Sequence, residues 1–333
     1  MLRIAINGFG RIGRAAFKVA FEKKGIDIVA INDITDAPTL AHLLRYDSIY
    51  GRYGHPVGVM GSDLKVGTKT IRVLSEKEPT KLPWKKLNVD VVLECTGRFT
   101  TEADARQHID AGAGRVVLSA PSKDAGMPTF ILGVNAKNYA GERVVNNASC
   151  TTNCLSPVAA VLEKSFGISK AVMTTIHAYT ADQRLHDAPH SDLRRARAAA
   201  ANVVPTTTGA AIATGEVLPQ LKGRFDGLSI RVPVQVVSLS DITCVLKRRT
   251  SVEEVNAAFV KAAKDRAWKG ILDVSHEELV SSDFIGNTHS AIVDLPLTRV
   301  IDGDLVKVVA WYDNEWGYSN RLVELAMLIG RGE

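Results

Sequence analysis

A thiol is a weak nucleophile until it becomes a thiolate. One segment of this chain places a cysteine where that change is favoured: Ala148-Ser149-Cys150-Thr151-Thr152-Asn153-Cys154. A strand-like run, 143–147, precedes it, and a helix-like run, 152–166, follows. A helix N-terminus offers unpaired N–H groups and the positive end of the peptide dipoles, and both stabilise a thiolate. The hydroxyls of Ser149, Thr151 and Thr152 surround the sulfur with donors suited to an oxyanion or a phosphate. The pattern points to covalent catalysis at a carbonyl carbon. Two blander readings compete with it. An inert cysteine is normally buried among apolar neighbours, whereas these are polar. A zinc pair made by Cys150 and Cys154 would have an unusual spacing and no matching second pair, so no metal is expected.

A nucleophile of this kind needs a base. The run 170–176 reads as a strand that delivers His177 to its end, just before Tyr179-Thr180-Ala181-Asp182, and His177 is the base candidate. Residues 181–197 form a long stretch of little periodicity holding Arg184, Arg194, Arg195 and Arg197. Long irregular segments are usually functional, and arginine suits phosphate through its planar fork. Thr206-Thr207-Thr208-Gly209-Ala210 offers hydroxyls and N–H groups at another helix start, either as a second anion site or as ordinary capping.

A second chemistry-bearing motif lies near the N-terminus. Gly8, Gly10 and Gly13 form a G-x-G-x-x-G frame between the strand-like 2–6 and a helix to about residue 24. Gly8 permits the tight turn, Gly10 lets backbone approach a pyrophosphate, and Gly13 lets helix and strand pack closely. The pyrophosphate is expected on the N–H groups near Arg11 and Ile12. A second strand, 27–32, ends at Asp33, where a carboxylate is expected to take the adenosine ribose 2′-OH.

These residues require particular elements. The apolar runs 89–95, 116–119 and 130–132 each end in small or polar residues, the pattern of strands buried on both faces of a parallel sheet. Their ends, Thr96-Gly97 and Ser119, are candidates for nicotinamide-side contacts. The region 57–74 reads as a small antiparallel insertion. In the second half, Pro157 requires a kink or a place in the first turns of its helix. Alternating runs at 228–233, 239–247, 290–293 and Leu305–Tyr312 predict an antiparallel sheet. Ser251-Val252-Glu253-Glu254 is a capping box for a helix to about residue 265. The expected architecture is α/β: a Rossmann-type doubly wound parallel sheet domain over 1–149, and an α+β catalytic domain with a mostly antiparallel sheet over 150–314. A terminal helix, about 315–333, is expected to pack back on the first domain.

The bulk properties agree with this plan. The 333 residues suffice for two domains, and 46% hydrophobic with 23% charged residues is a soluble composition. Four scattered cysteines suit a reducing compartment and a cytoplasmic location. No signal peptide and no bilayer-spanning run are indicated. The net charge of +5 comes without a dense Lys/Arg block, which favours small anionic ligands over nucleic acid.

Taken together, these motifs closely resemble the phosphorylating glyceraldehyde-3-phosphate dehydrogenases. The likeness runs along essentially the whole chain: INGFGRIGR (6–14), ASCTTNC (148–154), HAYT (177–180), DLRRARAAA (192–200), PTTTGAA (205–211), SSDFIGN (281–287) and WYDNEWGYSNR (311–321). The resemblance implies Cys150 as nucleophile and His177 as its activating base. It implies that Thr180 and Arg231 hold the C3 phosphate of glyceraldehyde 3-phosphate. Ser149, Thr151, Arg195, Thr208 and Gly209 would then serve inorganic phosphate, with Arg197 the alternative to Arg195. NAD would touch Arg11, Ile12, Asp33, Lys77, Ser119 and Asn314. A homotetramer is implied, with the arginine-rich loop beside a neighbouring subunit's cofactor, and a role in glycolysis and gluconeogenesis.

The chain departs from the family pattern at two places. Arg231-Val232-Pro233-Val234-Gln235-Val236 lacks the Pro-Asn that often follows RVP, although Arg231 is kept. Ala188-Pro189 stands where NAD-specific members commonly have Leu-Pro, which leaves weak NADP use open. Erythrose-4-phosphate dehydrogenase is the rival enzyme, with a hydrolysed thioester, and a surface or RNA-binding role on the same fold is the rival of another class.

Overall fold

Burial on both faces makes a strand of Leu2–Asn7, which sits inside an eight-stranded sheet. The computed structural model describes residues 1–330. In it the sheet runs Val144–Asn146, Arg115–Leu118, Val91–Glu94, Leu2–Asn7, Ile26–Asn32, Lys69–Leu74, Asp63–Val66 and Val57–Met60. The pairs from Val144–Asn146 through Lys69–Leu74 are parallel, and the last two strands turn back antiparallel. The expected insertion at 57–74 is therefore an extension of the main sheet, since Lys69–Leu74 lies parallel to Ile26–Asn32. Helices Arg11–Glu22, Ala37–Arg45 and Glu102–Asp110 accompany it, the last two capped by the side chains of Asp36 and Thr101.

The run 130–132 is not a strand. Thr129 makes a single parallel bridge to Asn146, and the chain then turns. The Ile131 carbonyl accepts from the N–H groups of Val134, Asn135 and Ala136, while Asn135 Oδ1 accepts from Ile131 N at 2.8 Å. A local asparagine bond takes the place of a sheet ladder there.

A second sheet runs Val204–Thr207, Phe225–Val232, Ile168–Ala178, Ser238–Leu246, Leu305–Tyr312, Ala291–Asp294 and Leu272–Ser275, with Arg299–Ile301 also on Leu305–Tyr312. Only Ile168–Ala178 with Phe225–Val232 and Leu272–Ser275 with Ala291–Asp294 pair in parallel. Helix Cys150–Phe166 packs on this sheet, with every residue from Thr151 to Val158 buried. Pro157 lies in the interior of that helix rather than its first turns, and the helix runs on to Gly167, whose φ of 70° ends it. Helix Val252–Lys264 starts at Ser251, whose side chain accepts from Glu254 N.

The chain divides into two units, each with its own sheet. One holds Met1–Phe130, Asn138–Ala148 and the residues from Ser319 onward, and the other Ile131–Lys137 and Ser149–Tyr318. The terminal helix is Trp316–Gly330, and residues 331–333 of the expected span lie outside the described residues. Among the described residues, no helix is long and apolar enough to cross a membrane.

Candidate active site

Cys150 is the first residue of its helix, and Ser149 is the N-cap, its hydroxyl accepting from Thr152 N at 3.0 Å. His177 sits inside the strand Ile168–Ala178, one residue before its end, so the ladder rather than a loop fixes its ring. The two meet with Cys150 Sγ 3.4 Å from His177 Nε2. His177 Nδ1 lies 2.7 Å from the Ala178 carbonyl, which only accepts, and 3.0 Å from Arg231 Nη1, which only donates; the carbonyl contact is the shorter and Arg231 Nη1 has other acceptors, so the proton is assigned to Nδ1. Nε2 is thereby left as the acceptor facing the thiol. Arg231 Nη1 donates to the same carbonyl at 3.1 Å and to Thr180 Oγ1 at 3.4 Å, bringing Thr180, Arg231 and His177 into one cluster.

The electrostatics define the resting state. Burial first, then the positive charge of Arg231, pushes the His177 pKa from 6.5 down to about 3. Burial also raises the Cys150 thiol, against the lowering influence of Arg231, the Thr151 hydroxyl and the N–H groups at the helix start. The resting pair is a thiol beside a neutral imidazole, not the thiolate that the helix N-terminus alone predicts. Desolvation outweighs Arg231 and the hydrogen bonds at the helix start here.

The remaining candidates of this unit are placed unevenly. Arg195 donates from Nε to Thr206 Oγ1 at 3.0 Å and from Nη2 to the Thr207 carbonyl at 3.4 Å, and it pairs with Asp182 and, at 3.5 Å, Asp192. It thus lies against the segment that carries Thr208 and Gly209, and its charge reaches His177 and Arg231. Arg197 instead pairs with Asp187 at 2.8 Å on the exposed surface. Gly209 precedes helix Ala210–Val217, and Thr208 Oγ1 accepts from Ala210 N at 3.2 Å. The Thr151 hydroxyl meets Tyr312 Oη at 2.9 Å. Asn314 Oδ1 accepts from Ser238 Oγ at 3.1 Å, and that hydroxyl accepts from Ala178 N, so the Asn314 amide is oriented from the His177 strand.

The glycine frame of the first unit has the geometry its spacing predicts. Gly8 has φ +90°, and a Cβ on Gly13 would lie 2.1 Å from the Gly8 carbonyl oxygen. A Cβ on Gly10, the N-cap of Arg11–Glu22, would meet nothing within 4 Å, leaving an open cradle at the helix start. Asp33 is held by Phe9 N at 2.7 Å and Thr35 N at 2.9 Å. A cavity of about 440 Å³ is lined by Gly8, Gly10, Asp33, Lys77 and Thr96 among others, whereas Arg11, Ile12, Gly13 and Ser119 are outside its lining. Arg11 is engaged with Asp47 at 3.0 Å.

Comparison with known proteins gives this arrangement its context. Residues 2–102 match the NAD binding domain of glyceraldehyde 3-phosphate dehydrogenase, and residues 149–314 match its C-terminal domain. The chain belongs to the glyceraldehyde-3-phosphate dehydrogenase family. It is 55% identical over 338 residues to the glyceraldehyde-3-phosphate dehydrogenase of Mycobacterium tuberculosis, with 99% of each chain covered. It is 53% identical to that of Streptomyces coelicolor over 99% of this chain and 98% of the relative, and 52% identical to that of Geobacillus stearothermophilus over 98% of each.

Against this family's motifs, three participants escaped the sequence reading. The Ala178 carbonyl sets the His177 tautomer, and Ser238 orients Asn314. Tyr312 links the Thr151 and Thr175 hydroxyls at 2.9 and 2.8 Å and lies edge-on to the His177 ring, centroids 6.1 Å apart. A tyrosine at the end of the mostly apolar strand Leu305–Tyr312 was the available signal, because a buried hydroxyl needs a partner.

Proposed function

We propose that the chain oxidises D-glyceraldehyde 3-phosphate with NAD and inorganic phosphate to 1,3-bisphosphoglycerate, through a thioester on Cys150. The observation that carries this reading is the Cys150 Sγ to His177 Nε2 contact of 3.4 Å, with the His177 proton on the opposite nitrogen. Nε2 takes the thiol proton as sulfur adds to the aldehyde, so the paired charges form only when the carbonyl carbon is there to consume the thiolate. The Cys150 N–H at the helix start and the newly formed imidazolium stabilise the hemithioacetal oxygen. NAD, when bound, would take the hydride from the hemithioacetal carbon, which leaves the thioester on Cys150. The open cradle at Gly10, the helix start and the Asp33 carboxylate suit its pyrophosphate and ribose, and Arg11, Ile12, Lys77, Ser119 and Asn314 are assigned to it with them. Inorganic phosphate then attacks the thioester carbon and returns the thiol.

Two anion sites are required. Arg231 Nε is buried and has no partner, which leaves a donor for the C3 phosphate beside Thr180. Arg195, Thr208 and Gly209, with Ser149 and Thr151, are assigned to inorganic phosphate. Arg195 is preferred to Arg197 because it lies against the Thr206–Thr208 segment. Spectrophotometric NADH formation with glyceraldehyde 3-phosphate tests the reading. A rate that does not depend on phosphate, or that is faster with erythrose 4-phosphate, would overturn it.

A homotetramer in the cytoplasm completes the proposal. Val172 and Leu228 point to one face of the second sheet and are exposed, as are Leu185, Leu193, Val203 and Ile212 elsewhere in this unit, apolar side chains that partner copies would cover. All four cysteines are free, which suits a reducing compartment. Sedimentation at micromolar concentration tests the assembly, and a monomer would refute it.

A further inference from the structure

The chemistry above leaves unused a buried polar cluster beneath the glycine loop. Trp84, His108, Glu94 and Asn7 are each at most 2% exposed. Trp84 Nε1, which can only donate, contacts His108 Nδ1 at 3.0 Å, so the His108 proton is on Nε2, 3.1 Å from Glu94 Oε2. Asn7 Nδ2 donates to the same oxygen at 2.5 Å. Glu94 Oε1 accepts from Thr96 N at 2.7 Å and from the Thr96 hydroxyl, which itself accepts from Arg98 N and so must donate to Glu94. Four donors converge on one acceptor-only group.

The orientation of each amide follows from backbone. Glu76 donates its N–H to Asn32 Oδ1 and accepts from Asn32 Nδ2, so Asn32 presents Nδ2 to Asn7 Oδ1 at 2.7 Å. Asn7 must therefore turn Nδ2 toward Glu94. Asn7, Asn32, Glu76 and Thr96 all line the cavity that contains Gly10 and Asp33.

We propose that Glu94 is a positioning residue for NAD: its buried carboxylate, set by His108 and Trp84, ties the end of the first strand at Asn7 to the Thr96 turn and so fixes both walls of the dinucleotide cleft. The proposal rests on reading that cleft as the NAD site. A carboxamide at position 94 cannot replace the carboxylate, because either flip sets its NH₂ against donors.

The test is an exchange of groups, read by calorimetric titration with NAD alongside urea unfolding. Glu94→Gln and Asn7→Asp are each expected to raise the NAD dissociation constant about tenfold or more. The double variant Asn7→Asp/Glu94→Gln should return it to within about threefold of wild type. In the double variant the carboxylate at position 7 accepts from the carboxamide at 94 and from Asn32, and His108 Nε2–H, 3.4 Å from Asn7 Nδ2, must turn to it from position 94, where it now faces an NH₂. A folded Glu94→Gln protein with unchanged NAD affinity, or losses that simply add in the double variant, would overturn the proposal. If Glu94→Gln does not fold alone, the double variant decides, and its failure to bind NAD is equally fatal. Asp33→Ala is the control for the cleft: unchanged affinity there strikes the cleft reading, while the exchange result stands by itself.

Discussion

At the scale of single residues, the nucleophile Cys150 and its base His177 are held neutral by burial among charged neighbours. Cys150→Ser is expected to lower phosphorylating activity by several powers of ten with NAD binding intact, because a hydroxyl is a far poorer nucleophile at neutral pH; retention of more than about a tenth of the activity would refute the assignment. The neutral His177 also has a stability consequence. An unfolded chain takes up the imidazole proton near pH 6.5, and the folded one only near pH 3. The unfolded state therefore binds more protons between those values, so stability is whole above about pH 6.5 and falls as the pH drops through the window. His177→Asn removes that sensitivity, and its unfolding free energy should fall less steeply with acid, by up to about 1.4 kcal/mol per pH unit. Urea unfolding of both proteins from pH 3 to 6.5 checks this, and parallel curves would refute it. Arg231 and Arg195 are separable. Arg231→Ala should hurt use of the phosphorylated substrate far more than of unphosphorylated glyceraldehyde, whereas Arg195→Ala should raise the KM for inorganic phosphate and Arg197→Ala should leave it within about twofold. Equal effects of the two loop variants would undo the choice between them.

Elements, rather than residues, decide what the glycines do. Gly13→Ala drives a methyl to 2.1 Å from the Gly8 oxygen and should cost about 1–3 kcal/mol of stability. Gly10→Ala meets nothing in the protein, so stability should stay within about 0.5 kcal/mol while NAD affinity falls about tenfold. Calorimetric melting and NAD titration of both separate the roles, and a Gly10→Ala protein that binds NAD normally would remove the pyrophosphate from that helix start. The glycine frame was legible because its three constraints are local: one turn, one approach, one packing contact. The strand endings that deliver Asp33 and His177 were legible for the same reason. The failed strand at 130–132 shows the limit, since its apolar residues fit a ladder and only the Asn135 side chain, bonding back to Ile131, diverts the backbone. The resting charge of Cys150 was also hidden, because desolvation depends on the packing around the sulfur and not on the motif. Tyr312 joined the site from a strand that is distant in sequence, through a register no local pattern encodes.

For the whole molecule, cofactor choice joins residues far apart in the chain. Asp33 has both oxygens fixed by backbone N–H groups, and its charge should repel a 2′-phosphate. Ala188 is exposed on the arginine-rich loop, held by its N–H to the Ala196 carbonyl at 2.9 Å, and in the proposed tetramer it would bring little bulk to a neighbouring copy's ribose. NAD should be preferred over NADP by roughly tenfold to a few hundredfold in kcat/KM, as a partly solvated like-charge contact of about 1–3 kcal/mol requires. Ala188→Leu should reduce the remaining NADP use further. Undetectable NADP turnover in the wild type would make Ala188 neutral, and a preference for NADP would refute the role of Asp33.

The first unit is assembled from the beginning of the chain, a short middle piece and the segment from Ser319, whose Leu322, Val323, Leu325 and Ile329 are wholly buried. Translation is vectorial, and this sets an order of maturation. A nascent chain that has displayed the whole glycine loop still lacks those four side chains, so the nucleotide unit stays unfinished while the entire second unit is being made. Ribosome-bound chains stalled before residue 316 should then fail to retain NAD on an affinity column, and chains stalled with residue 330 clear of the exit tunnel should retain it. Capture of both would mean that the helix is a late ornament on a unit already complete.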